Sequence, residues 1–101
     1  MALFVVRHQH AAETCPARDP RMGAMLLSHL AEPSAREHGV TVRSEAVLDG
    51  QHTLYLIAEA ASQDVLDRYL QPFGMVGSVE IWRASECSAV VARGGCEAVS
   101  F

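Results

Sequence analysis

The chain contains no lysine. All eight of its basic residues are arginine, spread along 101 residues, and twelve acidic residues bring the net charge to −4. Without a basic cluster there is no electrostatic footprint for nucleic acid or for an anionic membrane surface, so neither is expected as a partner. Long apolar runs are missing too. "ALFVV" and "GAMLL" fall far short of the roughly 20 residues a membrane-spanning helix needs. The opening "MALFVVRHQH" has no basic n-region and turns polar too early for a signal peptide. Cysteine is sparse: Cys15, Cys87 and Cys96, an odd number with no CxxC. That argues against a disulfide framework and points to reduced thiols in a cytoplasmic protein. There is no phosphate-binding glycine loop, since "ARGGCE" lacks both the lysine and the strand–loop–helix context. GxSxG and HExxH are also absent.

What is present is ordinary globular composition, with half the residues hydrophobic and a fifth charged. The length suits one domain over residues 1–101 and not two. "ALFVVRHQH" reads as a strand. Asp19 followed by Pro20 is a helix start, and Met22, Met25, Leu26 and Leu30 recur at helical spacing as an expected core stripe. A short turn of helix over "PSAREHG" stops at Gly39. Two β-rich runs flank Asp49-Gly50, a hairpin signal, with the second run opening at His52. Ser62 caps a second main helix carrying Val65, Leu66, Tyr69 and Leu70. "GSVEIWRA" is a fourth strand. "CSAVVARGG" reads as a fifth, so that residues 86–101 form a tail strand that a dimer could exchange.

The order β-α-β-β-α-β plus a tail strand is the ferredoxin-like α+β arrangement, one antiparallel sheet with two helices on one face. A single chain has nothing left to cover the other face, and a symmetric homodimer would cover it. This layout, together with "LQPFGMVGSVEIW" running from a helix end into the last main strand, resembles the dimeric α/β-barrel superfamily. That group includes cofactor-free monooxygenases, muconolactone-isomerase-like proteins and stress-responsive, YCII-like proteins. The resemblance implies strand order 4-1-3-2 and carries no catalytic residue onto this sequence.

Under that order, His8 and His10 at the end of the first strand lie beside the start of the third, at His52. The loop bearing Cys15 leaves from the same end. Two histidines two apart on a strand share one face, roughly 6.5–7 Å apart at the backbone. His8, His10 and His52 with Cys15 are therefore expected to form a metal site. Nitrogen and sulfur donors favour Cu, Zn, Ni or Fe over Mg or Ca. The turn leaves the face of His52 open. Cys15 could alternatively be a thiol activated near a helix start. The competing reading of the histidine pair is a polar strand end meeting solvent.

A second expectation is a metal-free monooxygenase or isomerase acting on a small aromatic or lactone-like molecule. His8 or His10 would be the general base, with Arg7 or Trp82 orienting the substrate. Tyr55, Phe73 and Trp82 would line its pocket. A third is a non-catalytic small-ligand-binding module. His29 and His38 are expected at the opposite end of the domain, and Cys87 and Cys96 carry no assigned role.

Overall fold

In a computed structural model, the described residues are 1–97. The chain runs β1 (Ala2–His10), α1 (Pro20–Leu30), α2 (Glu32–Glu37), β2 (Val40–Leu48), β3 (Thr53–Ala60), α3 (Gln63–Tyr69), α4 (Gln71–Gly74), β4 (Gly77–Ala84) and α5 (Cys87–Arg93). Two short 3-10 turns, Ala12–Thr14 and Pro16–Arg18, link β1 to α1. The strands form one open antiparallel sheet in the order β2-β3-β1-β4. This α+β architecture is consistent with a ferredoxin-like fold.

Local chemistry explains the helix boundaries. The Asp19 carboxylate accepts from Arg21 N at 2.9 Å, with Pro20 at the first helical position. That satisfies one of the amides a helix start leaves without a partner. The Ser62 hydroxyl does the same for Val65 N at the start of α3. Gly39 ends α2 in the left-handed region, where a side chain would be strained.

Alternation along β1 divides the sheet. Phe4, Val6 and His8 are buried on the helix-covered face. Leu54, Leu56, Ala58 and Ala60 join them from β3, and Leu66, Tyr69, Leu70 and Phe73 from the α3–α4 segment, to make the core. The other face carries Leu3, Val5 and Arg7 with their cross-strand partners Ile57, Trp82, Tyr55 and Glu80. Ile57 and Trp82 remain 40% and 46% exposed there. An Arg7–Glu80 ion pair at 2.8 Å crosses this face.

Three expectations need correction. Residues 87–93 form a helix, not a tail strand. Their alanines favour helix, Arg93 complements the helix C-terminus, and Gly94, at φ +85°, supplies a left-handed stop that returns its N–H to Val90 and Val91. Residues 98–101 of that expected strand lie outside the described residues. The β2–β3 connection is a four-residue loop closed by the Leu48–Thr53 pair, so β3 opens at Thr53 and His52 belongs to the loop. Met22 and Met25 are 39% and 65% exposed, not core. The stripe that α1 buries narrows to Leu26 and Leu30, which pack at the core edge.

Candidate metal centre

Three elements converge where β1 ends. The first is His10, the last residue of β1, held by its N–H to the His52 carbonyl at 3.1 Å and facing Gly77 at the start of β4. The second is Cys15, between the two 3-10 turns. The following Pro16 disfavours helical backbone at Cys15, which takes an extended conformation (φ −62°, ψ 117°). The third is His52, whose φ of +50° lies in the left-handed region. Histidine visits that region more often than most residues, and here it ends the loop that leads into β3.

One donor atom from each of His10, Cys15 and His52 lies within 4.8 Å of the others, and all three residues are half-buried. In a tetrahedral zinc site, bond lengths near 2.05 Å to nitrogen and 2.3 Å to sulfur put donors about 3.3–3.6 Å apart. The arrangement can hold a metal ion.

His8, expected as a ligand, has both ring nitrogens engaged elsewhere. Its Nδ1 lies 3.1 Å from the Ser78 carbonyl, and its Nε2 lies 3.2 Å from His10 Nδ1. A carbonyl only accepts, so a neutral His8 donates through Nδ1 and accepts at Nε2. His10 must then carry its proton on Nδ1, which leaves its Nε2 a bare lone pair. That Nε2 atom is buried and has no hydrogen-bond partner among the described residues. Ligating histidines need just this arrangement: neutral, with the distal N–H anchored. The sequence placed His8 among the ligands because strand alternation puts it on the face of His10. The structure places it behind His10, hydrogen-bonded to Ser78 and to His10 and outside the donor group.

Electrostatics agree. Burial pushes the His8 imidazole below its ordinary value of 6.5, against the opposing pull of the Ser78 carbonyl, and the neighbouring His10 adds to the lowering. Burial, followed by repulsion from His52, lowers His10 as well. Both rings favour the neutral form that binds metal.

Ser78 and Gly77 were not visible as site residues in the sequence. A Cβ at Gly77 would fall 2.1 Å from the Gln9 carbonyl oxygen and 3.0 Å from His10 Cα. Only glycine lets β4 approach closely enough for the Ser78 carbonyl to meet His8. Phe73 buttresses the same ring edge-on, at 5.1 Å between centroids.

The expected pocket of Tyr55, Phe73 and Trp82 does not form. Strand parity puts Tyr55 and Trp82 on the open face, while Phe73 is buried on the helix-covered one. Arg7 is likewise across the sheet from His8 and His10, tied to Glu80 and to Gln9 Oε1. Neither Arg7 nor Trp82 can orient a molecule held by those histidines. His29 and His38 pack on each other and on Tyr69, at ring separations of 4.4–5.5 Å. They lie outside the donor group, but His29 is not at the opposite end of the domain as expected: its ring is 6.1 Å from that of Phe73, which packs on His8. Cys87 and Cys96 are exposed free thiols. Among the described residues no helix is long and apolar enough to cross a membrane. Comparison with protein-family models and with curated proteins gives no match.

Proposed function

We propose that this chain is a transition-metal-binding protein whose ion is held by His10, Cys15 and His52. The observation that carries the reading is a His10–Cys15–His52 group with donor atoms within 4.8 Å of one another, together with a buried His10 ring nitrogen that has no hydrogen-bond partner among the described residues. Two imidazoles and a thiolate suit Zn, Cu, Ni or Fe, and hard cations prefer oxygen. Three protein donors leave a tetrahedral ion one open position, the pattern of sites that exchange a ligand, whereas structural zinc sites are closed by four.

The test is the metal content of untagged protein purified without chelator. Near-stoichiometric metal, lost in a His10→Ala/Cys15→Ser double variant that still folds, supports the reading. Protein that arrives empty and takes up none of the four metals on reconstitution overturns it.

We also infer that a second copy covers the open sheet face, as the resemblance to dimeric α/β barrels implies. Leu3, Val5, Ile57 and Trp82 give that face an apolar centre, and the Arg7–Glu80 pair gives it a polar edge. Apolar centres with polar rims mark protein–protein interfaces.

A further inference from the structure

We propose that the open position of this site takes a small molecule with one donor atom and an uncharged, apolar body. The proposal rests on the metal reading above and adds the class of ligand.

Two adjoining cavities carry it. One, of about 250 Å³, contains the three donor residues and is walled by Leu26, Leu48, Leu54 and Phe73. A second, of about 190 Å³, is lined by Met22, Met25, Pro72 and Val76. The two share Pro16, Leu26 and Phe73 in their linings and so lie side by side, and the proposed ligand is one that reaches from the metal past these side chains into the second.

The lining decides the chemistry. Asp49 is the one carboxylate around either cavity, and no arginine lines them, among the described residues. His8 has both ring nitrogens engaged, and the His29 Nε2 is bound to the Tyr69 carbonyl at 2.7 Å. An anionic end carried away from the ion into the second cavity would lose its water and find no arginine there, which is costly. An apolar body loses only unfavourable hydration. Size also fits: an apolar cavity of about 150 Å³ accommodates benzene, and the second cavity is larger. Met22 and Met25 are 39% and 65% exposed, and unbranched thioether chains adapt to irregular shapes. They set an adjustable wall where the body would end.

The experiment uses Co²⁺-loaded full-length protein, whose visible absorption reports coordination, titrated with 1-alkylimidazoles. These bind through one neutral nitrogen, so no proton is released. From 1-methyl to 1-butylimidazole, affinity should rise about fourfold per methylene. A chain ending in carboxylate should lose that gain. Met25→Asp, at an exposed position, should weaken butylimidazole by at least about fourfold and leave methylimidazole and the cobalt spectrum unchanged. If cobalt loads but affinity is flat with chain length, or the carboxylate binds equally well, the ligand class is wrong and the metal site stands. If the protein takes up neither Co²⁺ nor any of Zn, Cu, Ni and Fe, the metal reading itself falls and the proposal with it.

Discussion

Replacing His8 by phenylalanine separates the two roles a buried histidine beside a metal site can have. The ring is 97% buried, meets Phe73 edge-on and holds Ser78 and His10 through its two nitrogens. Phenylalanine keeps the aromatic contact but is bulkier than imidazole, so overpacking should cost the apo-protein about 1–3 kcal/mol of folding stability. The Ser78 carbonyl loses its side-chain partner as well. The His10 Nδ1–H loses its acceptor outright. Its proton is then free to move to Nε2, and the donor is gone in that fraction of molecules. Removing the group that anchors a ligating histidine typically weakens metal binding 10- to 100-fold, about 1.4–2.7 kcal/mol.

The assay is competition for Zn²⁺ against a chromophoric chelator at fixed pH, with thermal melts of the apo-proteins as the folding control. His10→Ala should lose far more affinity than His8→Phe, because it removes a donor. His8→Gln, whose amide both accepts and donates, should recover part of the loss. If His8→Phe loses as much as His10→Ala, then His8 is itself a ligand and the hydrogen-bond chain has been read wrongly. If it binds zinc like the parent, the chain does nothing for the metal.

Four further outcomes follow from the same geometry. Gly77→Ala would drive a methyl into the Gln9 carbonyl, and such overpacking costs about 1–3 kcal/mol; a parent-like melting temperature would show that β4 approaches β1 less closely than described. His8 and His10 are held below 6.5 when folded, so the unfolded chain binds more protons just below that value. Their contribution to apo-protein stability is present above pH 6.5 and is lost as pH falls toward the folded values, and a urea midpoint that holds or rises from about pH 7.5 to 5.5 would contradict this. Burial pushes the Tyr69 phenol up to about 12. Ultraviolet titration should show a tyrosine that ionises only as pH nears that value and that disappears in Tyr69→Phe, its contribution to stability being lost above pH 10. Light scattering should give about twice the 10.9 kDa chain mass, and the single mass in an Ile57→Glu/Trp82→Glu variant; a monomeric parent ends the dimer reading.

Much of the fold was legible because its signals are local. Asp19-Pro20 and Ser62 mark helix starts through hydrogen bonds within three residues. The alternation in "ALFVVRHQH" sorts β1 correctly onto two faces. Failures came where a local pattern was overridden. Simple alternation would carry Val40 and Val42 on to Ser44 and Ala46. A bulge at Arg43 resets the register, so that Val47 pairs with the core residue Leu54 and lines the metal cavity. Val90-Val91 looks like strand, yet the glycine that ends a helix follows three residues later. Tyr55, Phe73 and Trp82 were grouped by residue type. Nothing in their spacing states that a sheet lies between them.

The site was legible in membership more than in roles. His10, His52 and Cys15 could be gathered by assuming an end of a sheet, but a ligand and the anchor behind it look identical when both are histidines on one face. The roles depend on β4: the Ser78 carbonyl fixes the proton on His8, which fixes the proton on His10, which frees Nε2. That chain works because β1 is a central strand. Its left neighbour brings His52 and its right neighbour brings Ser78, so the two histidines at its end are served from both sides. An edge strand would have had only one of them. A histidine pair two residues apart is therefore most informative at the end of a strand buried between two others, where one ring can meet the ion and the other can be held by the neighbouring backbone.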